Sequence, residues 1–124
     1  MKIHVNDYKQ IPYGKSGIYM FQDESGKILY IGKANDIRQR MCNYFGESNY
    51  WSHLEKYHDN FETIIIAFVS KERTKFIEKN LIIFYKPPLN IQYNKKFTER
   101  DEKDYFKDIS EEDMKKAFEK FWES

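Results

Sequence analysis

Cysteine is nearly absent from this chain: Cys42 stands alone among 124 residues. No internal disulfide can form, which suits a reducing compartment such as the cytosol. Cys42 is expected to be a small apolar helix residue. Long hydrophobic runs are missing as well. The N-terminus has no apolar segment of the kind that marks a secretory signal, and no run approaches the length of a membrane span. The three histidines, His4, His53 and His58, have no spacing that suggests zinc. There are no internal repeats or low-complexity tracts. Net charge is scarce too, at +1, although 33% of residues are charged. That excludes the strongly basic balance of a nonspecific nucleic-acid binder. The balance is uneven: 13 Lys and Arg face 10 Asp and Glu up to Asn94, and 8 face 10 from Lys95 onward. A phosphate-binding surface is therefore expected in the first part.

What the chain does have is aromatic side chains, 18% of the total. They bury much area per residue and help a small domain build a core. The length fits one domain. Met1 to Pro12 alternates apolar and polar residues and suggests a short edge strand. Gly17 to Gln22 reads as a strand, Asp23 to Lys27 as a hairpin loop, and Ile28 to Gly32 as the second strand. Asn35 or Asp36 can cap a helix to about Phe45, with Ile37, Met41 and Tyr44 on its inward side. A short helix over 48–57 is expected next, carrying Trp51, Leu54 and Tyr57. Phe61 to Val69 is apolar on both faces, as in a central, covered strand. Ser70 should cap a helix from Lys71 to Tyr85, anchored by Phe76, Leu81, Ile83 and Phe84 and stopped at Lys86-Pro87-Pro88.

The hairpin gathers two phenols (Tyr19, Tyr30), an ammonium (Lys33) and, at the helix start, two guanidiniums (Arg38, Arg40). Such a cluster suits an anionic, phosphate-containing ligand. Gly17-Ile18-Tyr19 and Tyr30-Ile31-Gly32 resemble the two signature triplets of the GIY-YIG nuclease superfamily. Ser16 to Tyr19 and Tyr30-Ile31-Gly32-Lys33-Ala34 are most similar to the N-terminal nuclease domain of the excinuclease C proteins, which are bacterial repair enzymes. Supporting the resemblance are an Arg eight residues past Gly32, a later Glu, and Pro88-Leu89-Asn90. The likeness runs from about Ile11 to Ile91. It implies an α/β (α+β) domain over 1–94, with a small antiparallel sheet of about three strands flanked by helices. A charged helical extension, 95–124, would follow.

The resemblance also implies a metal-dependent DNA endonuclease that hydrolyses phosphodiesters. By residue type and position alone, Glu78 is a solvated surface carboxylate; the family places its metal ligand there. One carboxylate plus waters and phosphate oxygens suits Mg²⁺, or Mn²⁺ in its place. Glu72, the rival, sits nearer the helix start and is given a structural part. Tyr19 and Tyr30 alternate with apolar neighbours as core tyrosines do, whereas in the family they line the active site and one is the general base. A phenol's pKa of ~10 makes it a poor base at neutral pH, and Lys33 could lower it. Tyr19 is taken as the base and Tyr30 as the group that orients water; the reverse assignment stays open. Arg40 matches the family's catalytic arginine. Arg38 points about 200° away on a helix, which assigns it to the DNA backbone or the surface. Tyr44, one turn past Arg40, is placed to contact the phosphate. Asn90 matches a family asparagine that fixes the site by hydrogen bonds and borders the substrate. Gly17 and Gly32 are the structural glycines of the triplets.

The 124 residues carry neither a second nuclease domain nor a helix-hairpin-helix module. Repair incision is therefore not expected to transfer, and a restriction or mobile-element nuclease is a further reading. A different class is a DNA-binding module of the same fold that cuts only with a partner. Near the end, Ser110 and Asp113 resemble a capping box. Met114, Phe118, Phe121 and Trp122 form a stripe that either docks on its own domain or serves a homodimer or protein partner. A dimer through it would supply the DNA grip that the charge balance lacks.

Overall fold

The expected hairpin forms one half of a four-stranded antiparallel sheet. The computed structural model describes residues 1–46, 54–90 and 111–123. In chain order come β1 (Lys2–His4), a 3₁₀ helix (Val5–Gln10), β2 (Gly17–Gln22), β3 (Ile28–Ala34) and α1 (Ile37–Phe45). A second 3₁₀ helix (Glu55–Asn60), β4 (Thr63–Phe68), α2 (Lys71–Tyr85) and α3 (Glu111–Glu123) follow. The strand order is β1-β4-β2-β3. The fourth strand, added to the central three, is the short edge strand that Met1 to Pro12 suggests: β1, where Ile3 pairs with Ile64.

Side chains alternate across a strand, so each strand serves two cores. Tyr19 pairs with Gly32, and Phe21 with Tyr30, on the face covered by α1. Ile18 pairs with Lys33, and Met20 with Ile31, on the face covered by α2 and α3. β2 and β4 lie between other strands and are buried on both sides, as the apolar run of β4 required. β3 is an edge strand, and its outer backbone groups would be left unpaired. The segment after α2 closes that edge: the Leu89 N–H donates to the Leu29 carbonyl at 3.1 Å.

Asp36 caps α1 by accepting from the Gln39 N–H at 3.1 Å. Ile37, Met41 and Tyr44 turn inward as their spacing predicts. α2 has the expected limits and ends where Lys86 turns left-handed, at φ 50°. Two details differ from expectation. Ser70 makes no side-chain cap bond. Phe76 does not anchor α2: it is 66% exposed, because it stands two residues, about 200° of helix, from buried Glu78. The expected helix over 48–57 lies partly outside the described residues, and from Glu55 to Asn60 the backbone is 3₁₀. Trp51, Ile91, Ser110 and the Met114 side chain also lie outside them.

α3 lays its aromatic side on the second face. Trp122 is buried there, with Phe118 and Phe121 packed around it. The Phe118 ring stands 4.7 Å from that of Phe84 and 6.0 Å from that of Tyr85. Phe118, Phe121 and Trp122 of the stripe thus pack on their own sheet. Among the described residues no helix is long and apolar enough to cross a membrane.

Candidate active site

The first face concentrates phenols. Tyr19 is buried, and its hydroxyl shares a 3.0 Å hydrogen bond with the hydroxyl of Tyr44 on α1. The Tyr30 ring lies 6.2 Å from the Tyr19 ring and stacks on Phe21. The glycines of the two triplets explain how this fits together. A Cβ on Gly32 would stand 2.4 Å from the Tyr19 hydroxyl and ring, directly opposite in the register. A Cβ on Gly17 would stand 2.3 Å from the Ala67 carbonyl oxygen. Real Cβ atoms do not approach so closely. Gly32 therefore makes room for the Tyr19 ring, and Gly17 lets β4 close against β2.

Arg40 and Arg38 leave α1 on opposite flanks, as their spacing requires. Arg40 faces Tyr19, Tyr30 and Tyr44. Its partial burial disfavours the charge, but the three phenols outweigh that and hold its pKa above the usual arginine value. Arg38 turns the other way. Its Nη1 donates to the carbonyls of Lys9 at 2.6 Å and Ile11 at 2.9 Å. These bonds fasten the N-terminal segment to α1.

Lys33 lies on the other side of the strand from the phenols. It pairs with Ile18 on the α2 face, three residues from Tyr30 and so on the opposite side of β3. The cation that bears on both phenols is Arg40. Neither phenol is lowered. Burial pushes Tyr19 well above the ordinary tyrosine value, with the neighbouring Tyr44 and Tyr30 adding to it. Burial likewise raises Tyr30, helped by the charges of Tyr44 and Glu78. Desolvation wins because it penalises the phenolate more than one half-buried guanidinium favours it.

Glu78 is 6% exposed, whereas Glu72 on the same helix is exposed. Its charge bears on Tyr30 although α2 packs on the far face. Asn90 holds β3 between them. Its Oδ1 accepts from the Ile31 N–H at 2.9 Å and its Nδ2 donates to the Ile31 carbonyl at 2.7 Å. Both ends of the buried amide are engaged with backbone, which makes Asn90 a brace for the strand. The Tyr19–Tyr44 bond is an addition to the expected site, in which Tyr44 is a phosphate contact. The hairpin register, which sets Tyr19 against a residue without a side chain, is the signal that Tyr19 reaches inward.

Among the described residues no three acidic, histidine or cysteine groups cluster to hold a metal. The donor set is a single buried carboxylate at a phenol, which fits Mg²⁺: that ion dehydrates reluctantly and often takes one or two carboxylates.

Residues 15–91 match the UvrC-like GIY-YIG domain. The chain belongs to that family. UvrABC system protein C of Borrelia duttonii is 43% identical over 97 residues, covering 74% of this chain and 16% of that protein. The same protein of Petrotoga mobilis is 37% identical over 80 residues, 62% of this chain and 14% of that protein. The chain thus spans a small part of the curated relatives it matches. The GIY-YIG N-terminal endonuclease domain of UvrC from Thermotoga maritima, bound to magnesium as its catalytic divalent cation, shares the fold. The TM-score is 0.57 at 24% identity, over 67% of this chain and 91% of that domain. For this member of the family, Tyr19 and Gly17 stand in the first triplet and Tyr30 and Gly32 in the second, across one hairpin.

Proposed function

We propose that this GIY-YIG domain is a metal-dependent DNA endonuclease. One observation carries the reading: the charges of Arg40 on α1 and Glu78 on α2 both bear on Tyr30 of the edge strand β3. Phosphodiester hydrolysis needs a positive clamp on the phosphate, a group that orients or deprotonates water, and a metal. Arg40, kept charged, holds a phosphate oxygen through its planar fork. A Mg²⁺ held at Glu78, or Mn²⁺ in its place, would supply neutralisation of the phosphate and acidification of bound water.

The geometry supports the reverse of the expected tyrosine roles. Tyr19 is 1% exposed and tied to Tyr44, so water does not reach its hydroxyl. Tyr30 is half-buried, and the Glu78 charge bears on it. Tyr30 therefore orients the attacking water and accepts its proton, while Tyr19 and Tyr44 hold the Tyr30 ring and Arg40 in place. Its raised pKa keeps the Tyr30 phenol protonated at neutral pH. Proton acceptance is thus confined to the loaded site, where added positive charge favours phenolate. Lys33 gains no support as the activating cation.

The test is nicking of supercoiled plasmid by the intact chain in Mg²⁺ and in EDTA, beside Glu78→Gln and Glu78→Ala. Wild type is expected to nick only with the metal, and both variants to lose the activity while still melting cooperatively and binding DNA. Full activity in either variant would return the metal to Glu72. The net charge of +1 favours a second reading, a DNA-binding module that cuts only with a partner. Metal-dependent nicking by the isolated chain would exclude it.

A further inference from the structure

A nuclease must hold a polyanion, and the aromatic side of α3 is occupied by its own sheet. The grip must come from elsewhere on a nearly neutral surface. We propose that the loop before β2 is a stacking platform for an unpaired DNA nucleotide, with Tyr13 receiving the base and Lys15 the adjoining phosphate. This rests on the nuclease reading above and adds a strand contact outside its catalytic groups.

Tyr13 is 61% exposed. The Arg38 guanidinium lies 4.4 Å from its ring centroid. That guanidinium is itself fixed by its bonds to the Lys9 and Ile11 carbonyls, so the ring is backed on one side by a positioned cation. The loop beneath is pinned at each step. The Gly14 N–H donates to Asp36 Oδ2 at 3.0 Å, and the Lys15 carbonyl accepts from the Ile37 N–H at 2.9 Å. Ser16 Oγ donates to the Val69 carbonyl at 2.6 Å. Lys15 Nζ stands 5.6 Å from the ring centroid of Phe68, itself partly exposed.

An aromatic ring held rigid in water loses little further freedom when it stacks on a ligand, which favours binding. Bases stack on such rings without regard to sequence, and a cation behind the ring adds to the attraction. Asp36, the nearby acid, accepts from the Gly14 and Gln39 N–H groups. Against this one carboxylate stand the cations Lys9, Lys15 and Arg38. Alternation of aromatic and cationic groups matches the alternation of base and phosphate along a single strand.

The experiment measures fluorescence anisotropy of labelled oligothymidine, and of a blunt duplex of equal length, with the intact chain in metal-free buffer. Tyr13→Ala is expected to weaken oligothymidine binding about 5- to 100-fold, the range for losing one stacked base. Duplex binding should not change, and Tyr13→Phe should bind like wild type. Lys15→Ala should lower affinity and flatten its salt dependence, since one phosphate contact is lost. Tyr13→Leu keeps an apolar side chain against Arg38 and should lose the stacking as Tyr13→Ala does, which controls for loop collapse. Unchanged oligothymidine affinity in Tyr13→Ala would overturn the platform, as would equal losses on both DNAs. If that happens while wild type still nicks plasmid with Mg²⁺, the platform alone is wrong. If wild type neither binds nor nicks DNA, the nuclease reading fails with it.

Discussion

The two faces of the sheet are built from the same strands and hold different chemistry. Toward α1, β2 and β3 present Tyr19, Phe21 and Tyr30, joined by Tyr44. Toward α2 and α3 they present Ile18, Met20 and Ile31, joined by Leu81, Ile82 and Trp122. The first face buries hydroxyls, and a buried hydroxyl without a partner costs ~1–3 kcal/mol. It meets that cost for Tyr19 and Tyr44 by bonding one to the other. The second face is nearly all hydrocarbon, and its one buried indole, Trp122, stands by the Tyr85 phenol. The difference teaches that the aliphatic face supplies stability that leaves the phenol face free to keep groups costly to bury. Glu78 belongs by helix to the aliphatic face but acts on Tyr30 of the other, so α2 links the two.

This division can be broken by substitution. The largest effect is expected at Arg40. Arg40→Ala should lower plasmid nicking ~10²–10³-fold, the usual cost of losing one oriented charge at a transition state. Arg38→Ala, on the other flank of α1, should leave the nicking rate within a few-fold and lower the melting temperature. Equal losses in both would sink the assignment of Arg40 to the phosphate. A smaller effect on chemistry, but a clear one on stability, is expected from Trp122→Ala. Truncating a buried Trp costs about 3–5 kcal/mol, and nicking per folded molecule should not change. Light scattering should find the same monomer mass before and after. A dimer that dissociates on this change would show that α3 serves a second chain after all.

Much of this is legible in the sequence because the relevant signals are local. The triplets, the Asp36 cap, the inward stripe of α1 and the limits of α2 all follow from spacing within a few residues. The opposite directions of Arg38 and Arg40 follow from helical pitch alone. Lys33 adjoins Gly32 in the chain, and the two-residue period of β3 puts it on the face opposite Tyr30. The phenol pKa values depend on how deeply the rings are covered, and that is set by α1 packing from afar in the sequence. Phe76 looks like an anchor because it is apolar, yet its angle on α2 leaves it in water. The brace from Asn90 to Ile31 spans 59 residues, beyond the reach of any local pattern. The docking of α3 is one of two readings of a stripe, and only the second face of the sheet can choose between them.

Two adjacent residues of β3 test the division most directly. Tyr30 and Ile31 point to opposite faces of one strand. Tyr30→Phe keeps the ring and removes only the hydroxyl, while Ile31→Ala removes buried hydrocarbon and leaves the phenols. Single-turnover nicking and thermal melting should be measured on both. The expected result is a crossed pattern. Tyr30→Phe loses about 10²-fold or more in rate, as for a general base, with its melting nearly unchanged. Ile31→Ala loses about 2–5 kcal/mol of stability and nicks at the wild-type rate per folded molecule. Full activity in Tyr30→Phe, or a loss of rate in folded Ile31→Ala as large as that in Tyr30→Phe, would contradict the separation of chemistry and stability between the two faces.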